Sequence, residues 1–200
     1  MSLGSESPLK VLLDRAAIQR RVEELGVQIS KELSGSDLCV MPVMDGGMIF
    51  AADLVREIDL PLTITPIKAS SYGDSTASSG AVSLPFGIPE RIEGKDLLLV
   101  DDILDTGLTL NVLSEKLTEF GAKTIRTCVL LRKESSRHLT ADYLGFEIPD
   151  KYVVGYGLDH AGLYRNLPDI GVLAEELVSQ RAFSEVITSR SLRSLFHHSR

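Results

Sequence analysis

The chain is 200 residues long, with 44% hydrophobic and 24% charged side chains, a balance that provides a core to bury and excludes a disordered or fibrous protein. Twenty-eight acidic residues against 21 basic ones leave a net charge of −7, which argues against general nucleic-acid binding, where clustered positive charge supplies most of the affinity. No apolar run approaches the roughly 18 residues of a membrane span, and the start lacks a positive region followed by an apolar one, so neither a membrane partner nor secretion is expected.

Residues 1–8 are rich in Ser and Gly and are expected to be a mobile or appended start. From Asp14, apolar Ile18, Val22, Leu25, Ile29 and Leu33 recur at steps of three and four and predict an amphipathic helix, with Gly35 just beyond as a stop. Leu38–Val43 is a nearly all-apolar strand; Asp45-Gly46-Gly47 breaks it, and Met48–Arg56 follows as helix. Leu62–Lys68 predicts a strand. Ala69–Gly80, rich in Ser, Thr and Gly with almost no apolar content, cannot bury itself and is expected to be a mobile loop.

Asp96–Val100 predicts another buried strand. Asp101-Asp102 follows it, and after Gly107 comes a helix with Leu110, Leu113, Leu117 and Phe120 on its apolar face and Gly121 closing it. Thr124–Leu131 is the next apolar strand, and Ala141–Phe146, Lys151–Val154 and Gly171–Leu173 are shorter ones. Cys39 and Cys128 stand inside apolar runs and are expected to be buried free thiols, a cytoplasmic usage. Strands apolar on both faces, alternating with helices, imply an α/β, doubly wound, mainly parallel sheet covered on both sides. One domain over residues 9–180 accommodates this pattern, with residues 181–200 as a basic tail or helix.

Ligands of an open parallel sheet bind at the carboxyl ends of its strands, and the richest such end is Leu97–Thr109. Adjacent carboxylates at Asp101 and Asp102 repel each other unless a cation or a polyhydroxylated ligand compensates them. The loop Asp105–Thr109 has one glycine and two hydroxyls and opens a helix, whose first N–H groups favour an anion. Carboxylates for ribose hydroxyls or Mg²⁺ beside a phosphate cradle describe a sugar-phosphate site.

This motif resembles the signature of the type I phosphoribosyltransferases, which bind phosphoribosyl pyrophosphate. The resemblance implies that Asp101 and Asp102 contact the ribose hydroxyls and Mg²⁺. It also implies that Thr106, Gly107 and Thr109 hold the 5′-phosphate, with Leu108 contributing backbone where a basic residue is frequent. Asp105, in the same loop, matches the residue proposed in the family as the acid/base acting at purine N7.

Pro149–Asp159 resembles the base-recognition segment of the hypoxanthine-guanine phosphoribosyltransferases, which implies a small hood beside the sheet. By that resemblance Tyr152 stacks on the purine, the Val153 backbone meets the base edge, Asp159 carries a second Mg²⁺, and Arg165 faces the pyrophosphate. Lys133 matches the lysine that donates to the purine 6-oxo group, and Arg132 is its neighbouring alternative. An ammonium only donates, so it favours an oxo acceptor over the 6-amino group of adenine. Ser71-Tyr72 is similar to the Ser-Tyr of the family's flexible loop, which closes over the reacting centre. Met44-Asp45-Gly46-Gly47 occupies the family's pyrophosphate loop, where acidic Asp45 does not attract pyrophosphate directly, leaving backbone N–H groups, Mg²⁺ and Arg165 to hold it.

The resemblance covers about Leu38 to Leu173 and implies purine salvage: hypoxanthine or guanine and phosphoribosyl pyrophosphate give IMP or GMP and pyrophosphate, with Mg²⁺ as cofactor. A cytoplasmic homodimer or homotetramer with small-molecule substrates and no nucleic-acid partner is the corresponding expectation. Two other classes share part of the pattern. A receiver-like signalling module also follows an apolar strand with an acidic pair, but it needs a further Asp where this chain has Phe146-Glu147, and it leaves Thr106-Gly107 unexplained. A transferase-fold regulator of pyrimidine genes would use the tail, where Arg181, Arg190, Arg193 and Arg200 face only Glu185, to bind RNA. The purine-type segment around Tyr152 argues against it.

Overall fold

The computed structural model describes residues 9–68, 70–71, 82–83, 90–174 and 178; the expectations for residues 1–8, for Tyr72 and for the 181–200 tail lie outside them. The chain divides into two compact units, residues 20–150 and residues 1–19 with 151–200. In chain order the elements are β1 (Leu9–Leu13), α1 (Arg15–Glu32), β2 (Leu38–Met44), α2 (Gly47–Glu57), β3 (Leu62–Ile64), β4 (Ile67–Lys68), β5 (Ser70–Ser71), β6 (Val82–Ser83), β7 (Asp96–Leu104), α3 (Leu108–Glu119), β8 (Thr124–Lys133), β9 (Tyr143–Ile148), β10 (Val153–Val154) and β11 (Ile170–Leu173). Short 3₁₀ turns at Glu90–Ile92 and Glu134–Ser136 precede β7 and follow β8.

The larger unit is built on a parallel sheet in the order β3-β2-β7-β8-β9, with β4 also pairing with β2. Parallel pairing needs a crossover between neighbours, and α2 and α3 provide it after β2 and β7. Leu38 lies beside Asp96, and Asp96 beside Thr124, so the three central strands start level and carry their far ends to one edge. Leu97, Leu99, Val129, Leu113 and Leu117 belong to one buried apolar cluster, which joins β7 and β8 to α3. Cys39 and Cys128 are buried free thiols as expected, and burial pushes the Cys128 thiol well up. No described helix is long and apolar enough to cross a membrane.

The smaller unit holds a three-stranded antiparallel sheet, β1-β11-β10, with Leu9 opposite Leu173 and Val153 opposite Val172. Leu9, Val154, Tyr164, Leu167 and Leu173 form its own buried cluster.

Several boundaries differ from the sequence reading. The Leu9–Leu13 strand was not expected at all. Leu62–Lys68 is two short strands, β3 and β4, both paired with β2: the Thr65 N–H still donates to the Val40 carbonyl, and Pro66, which has no N–H, interrupts the ladder between them. The Ala69–Gly80 segment is not loop throughout, since Ser70–Ser71 pairs antiparallel with Val82–Ser83. β7 does not stop at Val100: Asp101 pairs with Val129, and Leu104 with Arg132, so the two carboxylates sit within the strand. β8 likewise runs past Leu131, so Lys133 is its last residue and does not lie past the strand's end.

Asp96 opens β7 almost fully buried, accepting from Lys123 Nζ at 3.0 Å and Thr124 Oγ1 at 2.8 Å. These partners hold its carboxyl below the ordinary range, so it stabilises the fold above the unfolded value of about 4 and loses that contribution as pH falls through the lower folded value. Asp96→Asn is therefore expected to lower the urea midpoint clearly at pH 7 and much less near pH 3.

Candidate active site

The carboxyl end of β7 brings two carboxylates side by side. Asp101 is buried, and its Oδ1 accepts the Asp102 backbone N–H at 3.0 Å. Burial first, and then the neighbouring Asp102 charge, push the Asp101 carboxyl well above the ordinary range. A site that disfavours its own negative charge in this way is one that a cation or a set of hydroxyl donors relieves. Among the described residues no cluster of three or more His, Cys, Asp or Glu side chains is placed to hold a metal ion.

The segment after β2 closes against these carboxylates, following a cis peptide between Met44 and Asp45. A Cβ at Gly46 would fall on the Asp102 carboxylate, and one at Gly47 would lie 2.5 Å from the Val100 carbonyl oxygen. Glycine at both positions is thus a matter of close approach between the β2 loop and β7. Asp45 itself is half exposed, and Lys68 Nζ, from the end of β4, lies 3.3 and 3.5 Å from its two carboxylate oxygens.

β7 ends at Leu104, and Asp105-Thr106-Gly107 turns the chain into α3. Gly107 has φ +73°, and Leu139 lies 3.1 Å from where its Cβ would be, so a side chain here meets both strain and crowding. The left-handed turn sets α3 at the end of the strand, and the first-turn N–H groups of a helix have no carbonyl of their own to bond. The Leu108 N–H points to Thr106 Oγ1 at 3.4 Å. Thr106, Gly107, Leu108 and Thr109 thus surround one helix start, with Asp105 on its rim.

Lys133 reaches that rim from the next strand: its Nζ donates to Asp105 Oδ2 at 2.6 Å. The Ser136 hydroxyl donates to the Asp105 carbonyl and ties the turn after β8 to the same loop. Asp150 in turn accepts from the Ser135 N–H and hydroxyl, which lowers its carboxyl pKa. Arg132 takes a different direction, donating to the Leu139 carbonyl at 2.9 Å and pairing with Glu147. Of the two candidate cations, Lys133 is the one that meets Asp105.

In the smaller unit, Tyr152 is half exposed and precedes β10. Its hydroxyl donates to the Asp159 carbonyl at 3.2 Å, and its ring meets His160 edge to face, with centroids 5.4 Å apart. Val153 is buried and pairs with Val172. Arg165 donates to the Gly157 carbonyl at 2.5 Å and to Asp159 Oδ1 at 2.8 Å, while Asp159 Oδ2 accepts the Gly162 N–H at 2.7 Å. Tyr152, Asp159 and Arg165 therefore form one connected group. Ser71 lies on β5, and its partner Tyr72 is outside the described residues.

Lys68, Ser136 and His160 were not singled out from the sequence. Lys68 directly follows apolar Ile67 at a strand end, a position that strand-end inspection reaches. Ser136 and His160 carry no comparable signal, because each acts across a turn.

The family model for the phosphoribosyl transferase domain matches residues 9–161. The hypoxanthine-guanine phosphoribosyltransferase of Bacillus subtilis (strain 168) is 45% identical over 166 residues, covering 82% of this chain and 92% of that protein. The chain belongs to the hypoxanthine-guanine phosphoribosyltransferase family. Among solved structures, a hypoxanthine phosphoribosyltransferase from Staphylococcus aureus superimposes with TM-score 0.82 at 38% identity, covering 90% of this chain and 100% of that one. A Bacillus anthracis hypoxanthine-guanine phosphoribosyltransferase does so with TM-score 0.77 at 42% identity, covering 82% and 98%. The central parallel sheet with its helices is thus the type I phosphoribosyltransferase fold that the motif resemblance implied, within the α/β class expected from the alternation of strands and helices.

Because a methyl group at position 46 meets the Asp102 carboxylate, Gly46→Ala is expected to keep its circular dichroism spectrum. Its affinity for phosphoribosyl pyrophosphate should fall by about tenfold or more, equivalent to about 1.4 kcal/mol, in titration calorimetry.

Proposed function

We propose that this family member is a purine-salvage enzyme that transfers the 5-phosphoribosyl group of phosphoribosyl pyrophosphate to hypoxanthine or guanine, giving IMP or GMP and pyrophosphate. The observation that carries the reading is the 2.6 Å pair of Lys133 and Asp105 on the rim of the helix-start cradle. In a free 6-oxopurine that reacts through N9, N7 carries the proton, so the O6 acceptor and the N7–H donor lie side by side on one edge. A donor and a carboxylate that touch each other match that edge: Lys133 donates to O6, and Asp105 faces N7. The 6-amino group of adenine would set donor against donor.

As N9 bonds to C1′ and the bond from C1′ to the pyrophosphate oxygen breaks, the base must shed the proton on N7. Asp105 takes it and thereby leaves the product neutral at that position. Such proton transfer contributes about 10² to 10⁴ in rate. Thr106, Gly107, Leu108 and Thr109 hold the 5′-phosphate at the start of α3. Asp101 and Asp102 face the ribose hydroxyls, and their mutual repulsion suits them to hold a Mg²⁺ ion, which would supply positive charge for the pyrophosphate.

On the smaller unit, Tyr152 stacks on the base, where a flat heterocycle offers apolar faces, and the Val153 backbone meets its edge. Asp159 is the proposed ligand of a second Mg²⁺, and Arg165, already directed at Asp159, faces the pyrophosphate. Ser71 and Tyr72 supply the lid, and Gly46 brings backbone to the pyrophosphate side. A homodimer or homotetramer in the cytoplasm is the proposed working form.

The test offers hypoxanthine, guanine, xanthine, adenine, uracil and orotate separately with phosphoribosyl pyrophosphate and Mg²⁺. Turnover confined to 6-oxopurines is expected, and turnover of uracil alone, or of nothing, would contradict the reading. Asp105→Asn should lose about 10² to 10⁴ in kcat while still binding phosphoribosyl pyrophosphate.

A further inference from the structure

The β2 loop presents an acidic side chain where the proposed reaction places a highly charged anion. Asp45 immediately precedes Gly46, where a Cβ would fall on the Asp102 carboxylate, so the loop that closes on Asp102 carries a further acidic side chain. Left alone, an acidic side chain in the pyrophosphate loop would oppose the binding of that anion.

Lys68 changes this balance. β4 runs parallel to β2 with Met44 beside Lys68, so the two strands end together, and Lys68 is delivered to the same edge as the loop. Its ammonium lies 3.3 and 3.5 Å from the Asp45 oxygens, long for a charge-assisted hydrogen bond, and both side chains are about half exposed, at 42% and 51%. An exposed pair of this kind is worth about 0–1 kcal/mol, so the ammonium is easily diverted. It carries three donors and needs only one for Asp45. Lys133, the cation on the Asp105 side, is already engaged with Asp105.

We propose that Lys68 is a pyrophosphate-binding residue of this chain, and that Asp45 is the resting counter-ion of its ammonium, exchanged for the anion when it arrives. The inference rests on the reading of the β2 loop as the pyrophosphate side of the site. It reverses the role of Asp45: the carboxylate serves as an exchangeable counter-ion of Lys68 and makes no contact of its own with the anion. The chemical class recognised is a diphosphate, free or as the leaving half of the cosubstrate.

The test is calorimetric titration of the full chain with Mg²⁺ and inorganic pyrophosphate, read beside steady-state kinetics. Lys68→Ala should weaken pyrophosphate about tenfold and raise the KM for phosphoribosyl pyrophosphate similarly, leaving the KM for hypoxanthine unchanged. Lys68→Arg, which keeps the charge, should recover most of that affinity. Asp45→Asn should bind pyrophosphate more tightly than the unaltered chain, because it removes the competitor for the ammonium.

Pyrophosphate affinity within twofold in Lys68→Ala would overturn the inference, as would an equal rise in the KM for hypoxanthine, the mark of general damage. The two readings fail separately. An unaltered chain that binds pyrophosphate through Lys68 but forms no nucleotide from any purine ends the salvage reading alone. One that forms IMP while Lys68→Ala binds pyrophosphate normally ends this inference alone.

Discussion

The contact between Lys133 and Asp105 depends on how two parallel strands end. β7 and β8 run in fixed register as far as Leu104 opposite Arg132, so the residues immediately beyond, Asp105 on one strand and Lys133 on the other, emerge together. Nothing in the pair itself is strong enough to organise the fold. The Asp105 side chain is half exposed, and such pairs are worth about 0–1 kcal/mol. The buried apolar ladder beneath supplies the stability, and the pair is what that ladder delivers to the surface. Its weakness is useful, because a donor and an acceptor that hold each other loosely can exchange their bond for two bonds to a base.

The same edge concentrates charge that the fold tolerates rather than needs. Asp101 is buried beside Asp102, and its carboxyl is displaced upward by both burial and repulsion. Gly46 and Gly47 let the β2 loop close on this pair without a side chain between them. The proposed ligand, which brings hydroxyls, a cation and phosphates together, would relieve the repulsion between the two carboxylates. Lys68 extends the logic one strand further: Asp45 and Asp105 are each met by an ammonium from a parallel neighbour.

Much of this was legible in the sequence because the relevant signals are local. Leu97–Val100 names a buried strand, Asp101 and Asp102 are out of place on it, and Gly107 marks the left-handed turn into α3. The end of β7 was misjudged for a physical reason: two carboxylates resemble a strand terminus, yet Ile103 and Leu104 continue the ladder against Leu131 and Arg132. β1 escaped because five residues beside a polar start carry no clear period, and its burial comes from β11, more than 150 residues away in sequence. Lys68 escaped because its partner lies across the β2–β4 ladder. The choice between Arg132 and Lys133 could not be read from adjacency either; it was decided by Leu139 and Glu147, which hold Arg132 elsewhere.

The central claim, that one lysine and one carboxylate together read the O6 and N7 edge of a 6-oxopurine, is tested most directly by a crystal structure of the chain with inosine 5′-monophosphate. The account predicts Lys133 Nζ within about 2.7–3.2 Å of O6, Asp105 facing N7, and the phosphate on the first-turn N–H groups of α3. A nucleotide bound with its O6 away from an undisturbed Lys133–Asp105 pair would contradict it.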